Sequence, residues 1–368
     1  MKSSLNGILL MLILILPSCS GNHFKKIQAN DSSISYVGRF AFSKNMEAVS
    51  DWPGTYFRCR FTGHTLGLLL DGPSGAQFNV FIDGKQVKTI SCLSNDTIWI
   101  SRNLPDEEHR LVVYRRTEAF LGKAAFKGLI IDAKADAFRW IDIPAHKIEF
   151  IGNSITCGYG VEGASRHDRF RPETENNYLS YASVTSRSLD ADYIIIAHSG
   201  LGVVRHYGDS LKVSTDPQMP VKYLRTFDGT DSLKWDFKSW KPDIVVVNLG
   251  TNDFSTQPYP GKEVFQSEYI NLIHKIRNNY GKIPVFCVCG PLIGDPCLSY
   301  IKEVTDNIKV NEKDDNLFFV EIPKALLNSD EDFGSDEHPS VKGQQKIADV
   351  LVSEITSKLG WKVTAAKK

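Results

Sequence analysis

Apolar strands without polar alternation recur through the second part of the chain, and they constrain the fold more than any other feature. The clearest is Ile244-Val245-Val246-Val247, within a predicted strand over residues 243–249. The other predicted strands lie at 147–151, 193–197, 283–289 and 317–322. Predicted helices alternate with them at 178–189, 264–279, 298–310 and 341–359. Continuous apolar strands that alternate with helices indicate a parallel sheet covered on both faces. We therefore predict a three-layer α/β domain over residues 146–362.

The preceding segment has a different periodicity. Apolar side chains occupy every second position in 57–61 and in 78–82, and the second run ends at the turn Asp83-Gly84. Further short runs follow, separated by turn residues and without a helical stretch. This pattern predicts an all-β sandwich of jelly-roll type over residues 34–140.

Residues 1–18 have the pattern of an export signal. Lys2 precedes an apolar run over 8–16 that is too short to span a bilayer. The run ends in Leu16-Pro17-Ser18-Cys19, which resembles the cleavage site of a bacterial lipoprotein. We expect a lipid anchor on Cys19, a linker over 19–33 and a location at the cell envelope. A plain secretory signal cleaved nearby is the alternative.

The charge balance and the spacing of cysteine and histidine disfavour a nucleic-acid partner and a metal site. Lysine and arginine together number 43, as do aspartate and glutamate, so the net charge is zero and a nucleic-acid partner is disfavoured. No cysteine or histidine cluster has the spacing of a zinc site, and we predict neither a metal nor a cofactor.

In an oxidising compartment Cys59 could form a disulfide with Cys92, or Cys289 with Cys297. Buried thiols are favoured for the cysteines of the predicted strand over 283–289.

Polar residues follow the predicted strands at four points. Ser154 comes after the first strand, Gly200 after the second and Asn252 after the third, while His338 precedes the last helix. Ligands of parallel sheets bind at the carboxyl ends of the strands, so these side chains should meet at one edge. A hydroxyl, a base and hydrogen-bond donors at one place are the requirements of acyl transfer.

These blocks resemble those of the SGNH hydrolases. The decapeptide from Ile151 to Gly160, the preceding sandwich and the spacing of Asp336 and His338 narrow the resemblance to carbohydrate esterase family 2. The sandwich segment 109–118 also resembles that family. The resemblance implies a flavodoxin-like catalytic domain and the removal of acetyl groups from plant cell-wall polysaccharides.

The resemblance also implies a role for each residue. Ser154 would be the nucleophile, His338 the general base and Asp336 the acid that orients the imidazole. The oxyanion hole would comprise the N–H groups of Ser154 and Gly200 and the side-chain amide of Asn252.

Several alternatives remain open for these positions. Most of the superfamily places its acid three residues before the histidine, where this chain has Ser335, and Asp336 could instead be a loop acid or helix cap. Gly202 competes with Gly200 for the second oxyanion donor, and Asn252 could be a turn residue. Asp253 is expected to hold its loop together.

Further polar and aromatic residues lie near the predicted site. We expect His167, His198 and His206 to form hydrogen bonds within loops, although Arg205-His206-Tyr207 could line a sugar site. Candidate stacking surfaces for a sugar ring are Trp235, Trp240 and the loop 254–260 with Tyr259, and a core position is the alternative for each.

The predicted function is that of a serine esterase acting on acetylated carbohydrates such as xylan or mannan. It needs no cofactor, and the oligomeric state is not indicated. One alternative is a general short-chain esterase or an enzyme for the acetyl groups of peptidoglycan or sialic acid. An alternative of another class is a non-catalytic glycan-binding surface lipoprotein.

Overall fold

The computed structural model describes residues 23–93 and 96–364. The predicted export signal and Cys19 lie outside these residues. Within them the chain forms an N-terminal β-sandwich followed by an α/β domain. Both parts of the predicted fold class are therefore confirmed.

Two antiparallel sheets face each other in the sandwich. Its strands, within the described residues up to 138, are β1 Phe24–Gln28, β2 Ser35–Val37, β3 Ala41–Phe42, β4 Ala48–Ser50, β5 Tyr56–Thr62, β6 Leu66–Asp71, β7 Gln77–Ile82, β8 Lys85–Ser91, β9 Ile98–Ser101, β10 Glu108–Arg115, β11 Ala124–Asp132 and β12 Ala137–Phe138. One sheet has the order β3-β4-β11-β6-β9, with β1 also paired to β11. The other has the order β12-β5-β10-β7-β8, with β2 also paired to β5.

The alternating side chains of both sheets point into a common core. Phe57 of β5 and Phe126 of β11 stack across it with their ring centroids 3.8 Å apart. The sandwich begins earlier than expected, because Phe24–Gln28 pairs with β11 where the sequence predicted a linker over 19–33. A five-residue edge strand with only two apolar residues, Phe24 and Ile27, gives little periodic signal.

The α/β domain follows the predicted alternation of strands and helices. Its strands are β13 His146–Gly152, β14 Ala191–Ala197, β15 Arg225–Phe227, β16 Thr230–Lys234, β17 Ile244–Asn248, β18 Val285–Cys289 and β19 Leu317–Glu321. Its helices are α1 Ser154–Cys157, α2 Tyr181–Ser188, α3 Met219–Lys222, α4 Thr251–Phe254, α5 Lys262–Tyr280, α6 Cys297–Glu312 and α7 Val341–Leu359. Short 3₁₀ turns lie at Ala119–Leu121, Pro172–Thr174, Asn177–Leu179, Lys324–Leu326, Asp330–Asp332 and Ser335–Glu337. In the described ranges, no helix combines the length and the apolar character needed to cross a bilayer.

The parallel sheet has the order β14-β13-β17-β18-β19, which is the flavodoxin-like order. Helices α5 and α6 pack on one face of the sheet, and α2 and α7 pack on the other. The chain leaves β13 toward β14 on one side and returns to β17 on the other. This reversal makes the carboxyl end of β13 the point where such sheets bind ligands.

Buried polar contacts join the two domains. The guanidinium of Arg39 lies 3.1 Å from the carboxylate of Glu149, and both side chains are fully buried. Arg58 donates two hydrogen bonds of 2.8 and 2.7 Å to Asp192. Such pairs require their partners, because an unpaired buried charge is costly. The sandwich is therefore held in a defined position against the sheet.

The six cysteines within the described residues are buried free thiols. The sulfur atoms of Cys289 and Cys297 approach to 3.7 Å, which is a contact and not the bond of about 2.05 Å found in a disulfide. Burial raises the pKa of Cys59 and of Cys287 to about 12. The thiols therefore serve as small apolar side chains of the core.

Candidate active site

Ser154 lies just beyond the carboxyl end of the inner strand β13, as the first residue of α1. Asn153 caps this short helix, since its side-chain oxygen accepts a hydrogen bond of 3.1 Å from the N–H of Ile155. The backbone N–H of Ser154 has no acceptor among the described residues. The residue retains 8% of its surface exposed, so it is not fully enclosed.

His338 lies beside Ser154 although the two residues are 184 positions apart in the chain. The Nε2 atom of His338 is 2.8 Å from the Oγ atom of Ser154. His338 comes from the loop before α7, at the same edge of the sheet as the end of β13. The structure thus brings together the two side chains expected to be nucleophile and base.

The backbone of Asp336, and not its carboxylate, contacts the imidazole. The Nδ1 atom of His338 lies 2.9 Å from the carbonyl oxygen of Asp336. The carboxylate accepts hydrogen bonds of 2.9 Å from the N–H of Phe170 and 3.1 Å from the hydroxyl of Tyr159. The expected bond between the Asp336 carboxylate and His338 is therefore replaced by a bond to the carbonyl of the same residue.

An unusual backbone conformation explains this arrangement. Asp336 and Glu337 both adopt left-handed conformations, with φ of 49° and 59°. Each such non-glycine residue costs about 1–3 kcal/mol unless its surroundings hold it in place. Here the N–H groups of Asp336 and Glu337 donate to the carbonyls of Asp168 and Arg166 at 2.8 and 3.0 Å. The neighbouring loop thereby holds the turn that directs the Asp336 carbonyl to the imidazole.

Asp336 and His338 have pKa values below their usual ranges. Burial disfavours the charged imidazolium and lowers the pKa of His338, although the carbonyl and charge of Asp336 act in the opposite direction. Burial opposes ionisation of Asp336, but hydrogen bonds from Phe170 and Tyr159 outweigh it and lower the pKa of that carboxyl. A neutral imidazole therefore lies beside an ionised carboxylate.

Aromatic rings form a ridge that begins at His338. Tyr159 packs against the imidazole with ring centroids 4.4 Å apart, and Phe170 stacks on Tyr159 at 4.0 Å. Phe120, from the sandwich, continues the ridge 6.1 Å from Phe170 and is 49% exposed. None of these three rings was predicted to be a site residue, although Tyr159 lies within the decapeptide from Ile151 to Gly160.

The loop after β14 leaves one backbone N–H without an acceptor. Within residues 199–206 the N–H groups that have acceptors donate as follows: Ser199 to Glu118, Leu201 to His198, Gly202 to Gln218, Val203, Val204 and Arg205 to Asp253, and His206 to Ser214. The N–H of Gly200 has no acceptor among the described residues. Gly200 is half-buried, so its unpaired N–H is available for a ligand.

Steric contacts distinguish Gly202 from Gly200. A Cβ atom at Gly202 would lie 2.2 Å from the carboxylate of Asp253, so that glycine is required by packing. Gly200 has φ of +82°, and a Cβ there would meet no atom within 4 Å. Open space in front of Gly200, together with its free N–H, favours it over Gly202 as the second oxyanion donor.

Asn252 and Asp253 fix the loop after β17 against the loop after β14. The side-chain nitrogen of Asn252 donates to the carbonyl of Leu201 at 2.8 Å, which uses one of its two amide hydrogens. The carboxylate of Asp253 accepts three consecutive backbone N–H groups, and burial raises its pKa to about 6 against the effect of these hydrogen bonds. The predicted loop-holding role of Asp253 is confirmed.

Three buried residues behind the site have the mutual spacing of metal ligands. The ligand atoms of Glu118, Cys157 and Glu175 all lie within 4.8 Å of one another. Burial raises the pKa of Glu118, and it raises the pKa of Glu175 and Cys157 further. Both Glu118 oxygens accept hydrogen bonds from Ser199. Glu175 and Cys157 therefore favour their protonated forms, and the oxygens of Glu118 are occupied by Ser199, so the cluster favours internal hydrogen bonds over a cation.

The other polar candidates serve the loops. His198 contacts Asp228 at 3.0 Å, and His206 lies within 3.4 Å of the hydroxyl of Ser214. Arg205 is fully buried and donates to loop carbonyls, so it does not line a sugar site. Tyr207 is 59% exposed, and its N–H donates to the carbonyl of Gly200 at 2.7 Å. Of the Arg205-His206-Tyr207 segment, Tyr207 is thus exposed beside the site.

The candidate stacking residues Trp235 and Trp240 lie elsewhere. They line a groove of about 410 Å³ together with Tyr36 and Phe40 of the sandwich. Lys147, near the start of β13, lies 5.9 Å from the ring of Trp240, whereas Ser154 follows the far end of that strand, about 20 Å away. Tyr259 packs against the core beneath α5. The groove is therefore separate from the serine.

Family models match both domains. The model described as carbohydrate esterase 2 N-terminal matches residues 36–139, within the sandwich. The model of the GDSL-like lipase/acylhydrolase family matches residues 150–346, which include Ser154, Gly200, Asn252 and His338.

Two curated proteins and a solved structure resemble the chain over most of its length. It is 36% identical over 338 residues to cellulase/esterase CelE of Acetivibrio thermocellus, and the match covers 90% of the chain but 40% of CelE. It is 29% identical over 324 residues to an acetylxylan esterase/glucomannan deacetylase of Cellvibrio japonicus, covering 84% of the chain and 85% of that protein. A family two carbohydrate esterase from Clostridium thermocellum, solved in complex with cellohexaose, is 35% identical with a TM-score of 0.82, covering 89% of the chain and 99% of that structure.

Proposed function

The chain belongs to carbohydrate esterase family 2, and on that premise we propose that it is a serine esterase that removes O-acetyl groups from polysaccharides. The observation that carries this proposal is the contact of 2.8 Å between the Ser154 hydroxyl and Nε2 of His338. An alcohol becomes a nucleophile when a base removes its proton, and this contact has the required length. In the proposed reaction Ser154 attacks the acetyl carbonyl, the sugar hydroxyl leaves and water hydrolyses the acetyl-enzyme.

The contact between His338 and Asp336 supports the assignment of the base. A carbonyl oxygen only accepts hydrogen bonds, so the Nδ1 atom of His338 must carry the proton. In the neutral ring Nε2 then has a free lone pair directed at Ser154. The Asp336 carbonyl would thus select the productive tautomer, which is the task of the acid in a triad. We therefore assign a dyad of Ser154 and His338, supported by the backbone of Asp336.

Three donors are proposed to stabilise the tetrahedral oxyanion. The N–H groups of Ser154 and Gly200 have no acceptor among the described residues, and Asn252 retains one amide hydrogen beyond its bond to Leu201. Strands β14, β13 and β17 are adjacent in the sheet, so the loops that carry these donors are neighbours. Donors fixed before the reaction stabilise developing charge without reorganising.

We propose acetylated xylan or glucomannan, or oligosaccharides from them, as the substrates. The Cellvibrio relative is an acetylxylan esterase/glucomannan deacetylase, and the Clostridium relative was solved with cellohexaose. Exposed rings at Phe120 and Tyr207 border the site, and aromatic faces suit pyranose rings. The zero net charge of the chain also suits a neutral polymer.

Acetate release from a panel of substrates tests the proposal. The panel contains acetylated xylan, acetylated glucomannan, O-acetylated peptidoglycan and a short alkyl acetate, with Ser154→Ala as the control. We expect the plant polysaccharides to give the highest kcat/KM. Preference for peptidoglycan or equal rates on all esters would overturn the substrate proposal. Binding of the polysaccharides without acetate release would instead identify a glycan-binding protein.

We also propose that the chain is exported and anchored through a lipid on Cys19. The support is the apolar run over 8–16 and the sequence ending at Cys19, both outside the described residues. Two or three acyl chains are enough for stable anchoring, because each buried CH₂ contributes about 0.8 kcal/mol. Fractionation of cells that express the chain and its Cys19→Ala variant tests this. Wild-type protein in the soluble fraction would count against the anchor.

A further inference from the structure

Glu118 of the sandwich contacts the loop that carries the proposed oxyanion donor Gly200. Its Oε2 atom accepts a hydrogen bond of 2.7 Å from the N–H of Ser199, and its Oε1 atom accepts one from the Ser199 hydroxyl. Glu118 is fully buried and lies at the start of a 3₁₀ turn after β10. Both oxygens of one carboxylate are therefore directed at the residue that precedes Gly200.

This contact determines which N–H of the loop stays free. The N–H of Gly200 belongs to the peptide group that joins it to Ser199, so its direction depends on how Ser199 is held. Glycine does not fix its own conformation, and Gly200 has the left-handed φ of +82°. The anchor for this peptide group comes from the other domain, because Glu118 is 81 residues away in the chain.

Glu118 is itself held by its buried surroundings. Its N–H donates to the carboxyl of Glu175 at 3.3 Å, and its carbonyl accepts a bond of 3.2 Å from the guanidinium of Arg115. Arg115 is also fully buried and bonds to four backbone carbonyls around this turn. Cys157, on the helix that begins with Ser154, lies against the same carboxylates. The nucleophile helix and the oxyanion loop thus share one support.

We propose that Glu118 is a positioning residue for the oxyanion hole. Through Glu118 the sandwich contributes to the esterase site. This rests on the proposed function, because it assumes that the N–H of Gly200 stabilises a tetrahedral intermediate. Glu118 touches neither the serine hydroxyl nor the imidazole. Its loss should therefore reduce kcat by misdirecting one donor, while substrate binding is retained.

The variants Glu118→Ala and Glu118→Gln separate position from charge. Alanine removes both contacts to Ser199, and we expect kcat to fall about tenfold or more with KM changed less than about threefold. Glutamine can accept from the Ser199 N–H and donate to its hydroxyl, so its kcat should stay within about threefold of wild type. Asp192→Asn is the matched control, because Asp192 bonds to Tyr56 and Arg58 across the same domain interface far from Ser199. It should lower the melting temperature and leave kcat unchanged.

The measurement is steady-state hydrolysis of an aryl acetate, with circular dichroism to verify folding. A folded Glu118→Ala protein with wild-type kcat overturns the inference, as does an equal loss of kcat in Asp192→Asn. If Glu118→Ala does not fold, Ser199→Gly provides the test, since it removes the hydroxyl and loosens the same peptide group. Unchanged kcat in Ser199→Gly also overturns the inference. An inactive wild-type protein would instead contradict the proposed function.

Discussion

The carbonyl oxygen of Asp336 lies 2.9 Å from Nδ1 of His338, while the carboxylate of the same residue is bound to Phe170 and Tyr159. One residue thus serves the site twice, through its backbone toward the imidazole and through its side chain toward the loop. The second contact holds the left-handed turn that makes the first one possible. Charge on Asp336 should therefore matter less than its conformation.

Substitutions at Asp336 test this order of importance. Asp336→Asn keeps the carbonyl, tolerates the left-handed conformation and still offers an oxygen to the N–H of Phe170. We expect kcat to fall by less than about tenfold, because the carbonyl that contacts His338 is retained. Asp336→Ala should cost more, since it loses the side-chain hydrogen bonds and disfavours φ of 49°. If steady-state kinetics give Asp336→Asn a lower kcat than Asp336→Ala, the charge of Asp336, and not the turn, is required.

The pH dependence of kcat/KM follows from the buried imidazole. His338 must be neutral to accept a proton, and burial lowers its pKa from the usual 6.5. Activity should therefore stay on its plateau below pH 6.5 and fall only as the pH drops through the lowered pKa.

Tyr159 supplies the variant for the pH profile, because its ring covers the imidazole at 4.4 Å. Tyr159→Ala admits water and should move the acid limb to higher pH, since the charged ring becomes easier to form. Tyr159→Phe keeps the ring and should move the acid limb less. Rate profiles of kcat/KM in which Tyr159→Ala and wild type share one acid limb would exclude burial as the cause.

Asn252 tests the proposed oxyanion hole. Asn252→Ala removes a donor, and such losses typically cost about 2.7–4 kcal/mol of barrier, or a factor of about 10²–10³ in kcat. The substitution also frees the carbonyl of Leu201, so the melting temperature should be recorded beside the kinetics. Asn252→Asp has a matched size without amide hydrogens and should lose a comparable factor. If kcat changes little in both variants and KM rises instead, Asn252 acts in substrate binding.

The exposed rings beside the site test the carbohydrate side of the proposal. Phe120→Ala and Tyr207→Ala should each raise KM for acetylated xylo-oligosaccharides about two- to tenfold, because a stacked aromatic contact contributes about 0.5–1.5 kcal/mol. KM for a short alkyl acetate should not change. Trp240→Ala, in the groove near the start of β13, is the control and should leave both values unaltered. If only Trp240→Ala changes KM, the polymer binds in that groove.

Much of the fold was predictable because its signal is local. The apolar run Ile244–Val247 identified a buried strand, and the alternating residues of 57–61 identified a sandwich strand, each by its own periodicity. Ser154, Gly200 and Asn252 could be predicted because each directly follows a buried parallel strand, where ligands bind. The edge strand Phe24–Gln28 and the polar hairpin of β15 and β16 lack such a signal.

Other features depend on three-dimensional relationships that no local pattern contains. The orientation of Asp336 is set by a dihedral angle and by the distant loop 159–170. The position of Glu118 depends on how two domains dock, and its partner Ser199 lies 81 residues away. In the sequence, Trp235 and Trp240 are plausible stacking residues for a sugar. The structure places them near the start of β13, whereas Ser154 lies beyond its other end.

Trapping the acetyl-enzyme is the most direct test of the account. Protein mixed with an aryl acetate is quenched in acid within one turnover, digested and analysed by mass spectrometry. We predict one acetyl adduct on the peptide that carries Ser154, absent from Ser154→Ala, together with a loss of acetate release by several orders of magnitude in that variant. An adduct on another residue, or acetate release by folded Ser154→Ala at the wild-type rate, would contradict the assignment of Ser154 as the nucleophile.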